Sequence, residues 1–168
     1  MLEQPQRRDA EWMPYLLQAY KNLDQPNFDF VQSALDAKPY RGLVSALRDF
    51  IVVEVTFIDE ADVCFSFLLK GRDKVWGLSL SMVGPFGCLS RLSNRLCPQD
   101  LLTSRTPGLH LSEGRVIGML ETRGIRLMTA PELSTPINLR SFHGHDGGGS
   151  GCLYHALFVD TPRLPWEN

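Results

Sequence analysis

Three alternating segments between residues 51 and 82 constrain the fold more than any other part of the chain. Their apolar positions are Ile51, Val53, Val55 and Phe57, then Val63, Phe65, Phe67 and Leu69, then Trp76, Leu78, Leu80 and Met82. This two-residue period is typical of β-strands that bury one face. Because polar turns at residues 59–62 and 70–73 join the segments, we predict an antiparallel meander. Residues 86–92 are predicted to continue it beyond a kink at Gly84-Pro85.

Helical spacing dominates the part of the chain before the meander. The apolar residues that recur at helical intervals are Tyr15, Leu16, Ala19, Tyr20 and Leu23, followed further along by Leu43, Val44 and Leu47. Pro14 suits the first turn of a helix. Residues 28–37 predict another helix, with Asn27 as its cap and Pro39 as its stop. Helices followed by strands predict an α+β fold, formed by a single domain over residues 1–168.

The last part of the chain is predicted to add one further helix and one further strand. Residues 93–111 indicate a long connection. A helix is expected after it, with Ser112 as its cap and Glu113 in its first turn. Residues 125–128 predict a short strand. Residues 153–159 are apolar throughout, so we predict that they form a C-terminal strand in the same sheet.

Composition limits the classes of partner and compartment. Of the 168 residues, 43% are hydrophobic, which is enough for a core, and the net charge of −2 argues against a nucleic-acid partner held by bulk charge. Residues 1–9 lack the apolar region of a signal peptide, and no apolar run has the length of a membrane span. The cysteines match no common zinc spacing; they are Cys64, Cys88, Cys97 and Cys152. We expect a cytoplasmic protein with reduced thiols and no cofactor.

Charge is distributed unevenly along the chain. Residues 49–69 contain five acids and no Lys or Arg, whereas residues 88–128 contain six Arg against three acids. Solvated surface faces would explain this pattern without any function. Alternatively, an acidic strip meets a basic protein partner, because complementary charge orients docking and speeds encounter. The candidate partner-binding residues are Glu54, Asp59, Glu60 and Asp62.

The sharpest chemical motif comprises His143, His145 and Asp146, whose imidazoles and carboxylate are suitable metal ligands. The surrounding residues 143–151 are rich in glycine, so an exposed flexible loop is the simpler interpretation. A small metal-dependent or thiol-dependent enzyme that uses this loop and Cys152 remains an alternative. No phosphate-binding loop and no GxSxG motif is present. A further alternative is a homodimeric structural subunit that pairs through an exposed strand edge.

Two stretches of the chain, at residues 76–86 and 153–166, resemble small bacterial α+β proteins of the immunity type. Such proteins are encoded beside toxins or secreted effectors. The resemblance implies a protein without chemistry of its own that binds and neutralises a cognate toxin. It assigns no toxin-binding residue, since these surfaces differ between pairs. The acidic candidates therefore depend on charge alone.

Overall fold

Helices form the start of the chain, as the sequence predicts. The computed structural model describes residues 10–56, 62–139, 151–159, 161 and 164–167. The first three helices are α1 (Met13–Tyr20), α2 (Asp29–Ala37) and α3 (Arg41–Ala46). Pro14 lies in the first turn of α1. The Asn27 side chain accepts the backbone N–H of Asp29 at 2.7 Å, so it satisfies a first-turn donor of α2 although Phe28 occupies the N-cap position.

The predicted antiparallel meander is confirmed. Its strands are β1 (Ile51–Glu54), β2 (Cys64–Lys70), β3 (Val75–Ser81), β4 (Phe86–Leu92) and β5 (Pro98–Leu102), each hydrogen-bonded to the next. The fourth strand begins after Gly84-Pro85, as expected. However, β5 lies inside the stretch 93–111 that was predicted to be a connection only. That prediction was wrong because β5 carries exposed polar residues and begins with a proline, which is tolerated on an edge strand.

The chain after β5 adds α4 (Leu111–Thr122), β6 (Arg126–Leu127) and α5 (Ala130–Leu133). The short strand predicted at residues 125–128 is present as β6, which pairs in parallel with β4 and makes the sheet mixed. The N-cap of α4 is His110 and not Ser112, because the Glu113 side chain accepts the His110 backbone N–H. No helix within the described ranges combines the length and apolar character that a bilayer crossing requires.

The predicted C-terminal strand is instead a helix, α6 (Leu153–Leu157). An apolar run of this length does not distinguish a buried strand from a short helix that is covered on all sides. The latter occurs here, since Leu153, Ala156 and Leu157 are fully buried. Isolated bridges flank the helix: Cys152 bridges Pro136 before it, and Val159 bridges Asp62 after it. The α+β class is therefore correct, but its last element is helical.

Hydrophobic clusters cover the two faces of the sheet. Phe65, Phe67 and Leu69 lie on one face of β2, where α3 and α4 pack. Cys64 lies on the other face, since successive strand residues alternate, and there α1, α5 and α6 pack. Among the described residues, the cluster with α1, α5 and α6 does not extend to the part of its face near β1. The residues of β2 and β3 on that part of the face are half-buried.

Candidate functional site

The structure describes two of the four acidic candidates. Glu54 is exposed at the end of β1, where its carboxylate accepts the Thr56 hydroxyl at 3.0 Å. Asp62 is half-buried and lies beside the C-terminal segment through its bridge to Val159. Asp59 and Glu60 lie outside the described residues. Whether the four acids form one surface therefore stays a prediction.

Strand β1 is an edge of the sheet and is paired with β2 alone among the described strands. Ile51 and Val53 are 69% and 36% exposed, which is high for β-branched apolar residues. Val55 donates its backbone N–H to Ser66 at 2.8 Å. In an antiparallel pair, the N–H and C=O groups of successive residues point alternately towards and away from the partner strand. Because those of Val55 point towards β2, those of Glu54 point away from it. No described strand pairs with these groups, so a further strand could do so.

The uncovered part of the sheet adjoins this edge. The residues of this part lie on one face, because each is either a cross-strand partner of another or two positions from another along the same strand. We call it the open half-face; it comprises Ile51, Val53, Ser66, Leu68, Gly77 and Ser79. The residues contributed by β2 and β3 are half-buried and mostly small. A partner strand beside β1 could therefore place side chains over this surface.

Charge differs between the two ends of β2. Lys70, Arg72 and Lys74 are exposed at the turn between β2 and β3. Ile51 pairs with Lys70, whereas Glu54 pairs with Phe67 towards the opposite end, so the acid of β1 points away from these cations. Asp49 and Asp73 are also exposed at the end that carries these cations, so the charges along the edge are mixed.

The proposed metal ligands His143, His145 and Asp146 lie outside the described residues. Within the described ranges, no group of three or more His, Cys, Asp or Glu side chains is placed to hold a metal ion. The hypothesis of a metal-dependent enzyme therefore stays a prediction. It gains no support from neighbouring described residues.

A close contact joins Cys152 and His155, which lie one turn apart at the start of α6. The Cys152 Sγ atom lies 3.3 Å from His155 Nδ1. The same nitrogen accepts the Cys152 backbone N–H at 3.0 Å. The other ring nitrogen, Nε2, lies 2.9 Å from the carbonyl oxygen of Thr161 and donates to it. Cys152 was a candidate catalytic thiol from the sequence, whereas its contact with His155 was not predicted.

The four cysteines are free thiols in different environments. Burial raises the pKa of the Cys64 and Cys88 thiols to about 12. Burial also acts to raise the pKa of Cys152, but hydrogen bonds from the His155 side chain and from the backbone of His155 and Tyr154 outweigh it, so this pKa is lowered. Cys152 is thus the buried cysteine whose surroundings favour the thiolate.

A buried ionic network, which was not predicted from the sequence, links β3, β4 and α4. Glu113, which was expected only in the first turn of a helix, is 2% exposed. The Arg91 side chain donates two hydrogen bonds to its carboxylate, at 2.8 and 2.7 Å. Trp76 Nε1 donates at 2.9 Å and the His110 backbone N–H at 2.8 Å. Arg91 could have indicated this network from the sequence. It lies two residues after Leu89 on a predicted strand, which places a charged residue at an inward position.

This network holds α4 against the sheet rather than forming a reactive centre. The hydrogen bond from Arg91 is the largest influence that lowers the pKa of Glu113, to about 2, so the carboxylate is ionised at neutral pH. No buried side-chain nitrogen or oxygen in the described part of the chain lacks a hydrogen-bond partner. All of the network's polar atoms are therefore satisfied internally. We assign it a structural role.

No family model, curated protein or solved structure matches this chain.

Proposed function

We propose that this chain is a protein-binding module that neutralises a cognate bacterial toxin by taking an extended, basic segment of it alongside β1. The observation that carries the proposal is an edge strand with two exposed β-branched residues, Ile51 and Val53. Addition of a strand to a sheet edge gives affinity through backbone hydrogen bonds and specificity through alternate side chains. The open half-face would receive those side chains. We expect the binding to occur in the cytoplasm.

The exposed acid of β1 favours a basic segment as the partner. Glu54 is exposed at the end of β1, and Asp49 is exposed just before it. Asp49 already lies 4.0 Å from the Arg115 guanidinium, so this preference rests on Glu54. A basic segment would complement Glu54 and would associate faster. The toxin assignment itself comes from the immunity-type resemblance.

The test is binding to the product of the neighbouring gene, measured by surface plasmon resonance at two salt concentrations. The double variant Val53→Lys/Glu54→Lys should weaken binding by about tenfold or more. Most of this loss should appear as a lower association rate constant. Lysine on an edge strand also opposes strand addition directly. The matched control is Glu121→Lys, an equal change of charge for Glu54→Lys at an exposed position of α4. This control should bind like the unaltered chain.

Three results would overturn parts of this proposal. Absence of binding to the neighbouring gene product would rule out toxin neutralisation. Equal binding by the double variant and the control would exclude β1 as the contact. Light scattering that shows a dimer lost in the double variant would identify a second copy as the occupant of the edge.

A further inference from the structure

The contact between Cys152 and His155 has the arrangement of a nucleophile beside a base. The sulfur and Nδ1 lie 3.3 Å apart, within the reach of a hydrogen bond to sulfur. A thiol becomes a strong nucleophile when a neighbouring group takes its proton. The pair belongs to α6 and does not depend on partner binding at β1.

The imidazole is held in the tautomer that this role requires. His155 Nε2 carries a proton, since it donates to the Thr161 carbonyl at 2.9 Å. Nδ1 is therefore an acceptor, and it faces both the Cys152 backbone N–H and the Sγ atom. Nucleophile–base arrangements regularly contain a third group that orients the base. Here that group is the backbone carbonyl of Thr161.

The other titratable groups near the pair do not oppose a thiolate strongly. Burial raises the pKa of the Tyr154 phenol, so it is neutral at physiological pH. Cys64 and Cys88, which also lie near Tyr154, have raised pKa values and are protonated. Among the described residues, Asp62 is a charged neighbour of Tyr154. Its charge raises the pKa of Cys64 and of Tyr154, whereas the influences that act on Cys152 come from α6 itself.

We propose that Cys152 and His155 form a nucleophilic thiolate–imidazole pair that reacts with small, uncharged electrophiles. The size limit follows from burial, since Cys152 is only 8% exposed. In the simplest reaction, the sulfur attacks a carbon that carries a leaving group, so a C–S bond forms and the bond to the leaving group breaks. The leaving group departs with the electron pair. His155 Nδ1 takes the proton that leaves the sulfur, gives up the hydrogen bond from the Cys152 backbone N–H while it is protonated, and passes the proton to solvent.

Iodoacetamide is the probe, and the labelling rates of Cys152 and Cys97 are measured by mass spectrometry between about pH 6 and about pH 9. Cys97 is an exposed cysteine of the same chain and serves as the internal control. Differences in access do not change with pH, so the ratio of the two rates isolates ionisation. We expect the ratio of Cys152 to Cys97 labelling to rise as the pH falls.

The matched variant is His155→Gln. Glutamine at this position of a helix preserves the acceptor for the Cys152 backbone N–H but removes the titratable base. It should lower the ratio near pH 6 by about tenfold, with little change in unfolding temperature. A Cys152→Ser variant identifies the labelled site.

Two outcomes would overturn the proposal. The first is a labelling ratio that stays constant with pH in the unaltered chain, which means that Nδ1 serves only the backbone N–H. The second is a His155→Gln variant that folds normally and labels like the unaltered chain. In either case the contact would be a helix cap without chemistry.

Discussion

The carboxylate of Glu113 stays ionised inside the protein because N–H donors surround it. The guanidinium of Arg91 supplies both a counter-charge and two of the hydrogen bonds. Trp76 and the backbone of His110 supply the others. A buried charge without such partners would be strongly destabilising. The free energy of the network should therefore depend on the protonation of this single group.

This dependence gives a prediction for acid stability. The folded-state pKa of Glu113, about 2, lies below its ordinary value of 4.5. The folded state therefore binds fewer protons between these values. The stabilisation, on the order of 3 kcal/mol, is complete above about pH 4.5 and is lost as the pH falls towards 2. Glu113→Gln should flatten this part of the stability curve, measured by urea unfolding from about pH 5 to about pH 2.

Glu121→Gln is the control for that measurement, because Glu121 is an exposed carboxyl on the same helix. It should retain the pH slope of the unaltered chain. An unchanged slope in Glu113→Gln would show that the buried carboxyl does not control acid stability.

At the scale of elements, the pairing of β6 with β4 depends on a glycine. A Cβ atom at Gly87 would lie 2.9 Å from Ile125 Cγ2 and 3.2 Å from Leu127 Cδ2. Gly87→Ala should therefore destabilise the protein by about 1–3 kcal/mol, because the side chains of Ile125 and Leu127 must shift to admit the methyl group. Chemical denaturation of the purified variant measures the change.

Gly114 provides a matched substitution with the opposite expected sign. It is exposed within α4, and a Cβ atom there would meet nothing within 4 Å. Gly114→Ala should stabilise the protein by about 0.5–1 kcal/mol, since alanine favours the helix. Equal effects of the two substitutions would contradict the close approach of β6 to β4.

The sequence predicted the elements that carry a regular period. The alternation in residues 51–92 was sufficient for the meander, and helical spacing was sufficient for α1. Two kinds of element were not predictable in this way. An apolar run such as residues 153–157 has no period, so its helical state depends on the surfaces that enclose it. The strand conformation of a polar edge segment such as β5 depends on its pairing with β4, which its own sequence does not reveal.

The candidate site also depends on tertiary surroundings that the sequence pattern does not reveal. The exposure of Ile51 contradicts the simple rule that alternating apolar residues face the core, because β1 lies at an edge. The pairing of Cys152 with His155 required knowledge that this segment is helical, since only a helix brings these two side chains to one side. A strand would have placed them on opposite faces.

At the scale of the whole molecule, the two hydrophobic clusters share one sheet. Leu157 belongs to the cluster with α1 and α6, and Leu120 belongs to the cluster with α3 and α4. Both side chains are fully buried. Leu157→Ala and Leu120→Ala should each cost about 2–5 kcal/mol and preserve a single unfolding transition. Coincident curves from circular dichroism and tryptophan fluorescence would establish this.

The control is Leu111→Ala, since Leu111 is largely exposed and should change the stability by less than about 0.5 kcal/mol. Two separate transitions in Leu157→Ala would contradict a shared sheet and would indicate that the clusters unfold independently.

The Tyr20 hydroxyl donates to the Ala156 carbonyl at 2.7 Å, across 136 residues of sequence. A ribosome adds roughly 5–20 residues per second, so Tyr20 is synthesised roughly 7–27 s before its partner in α6. During that interval Leu16 and Tyr20 lack part of the surface that buries them in the finished protein. The nascent chain is then a potential client for chaperones. Translation that stops before α6 would leave this side of the core open.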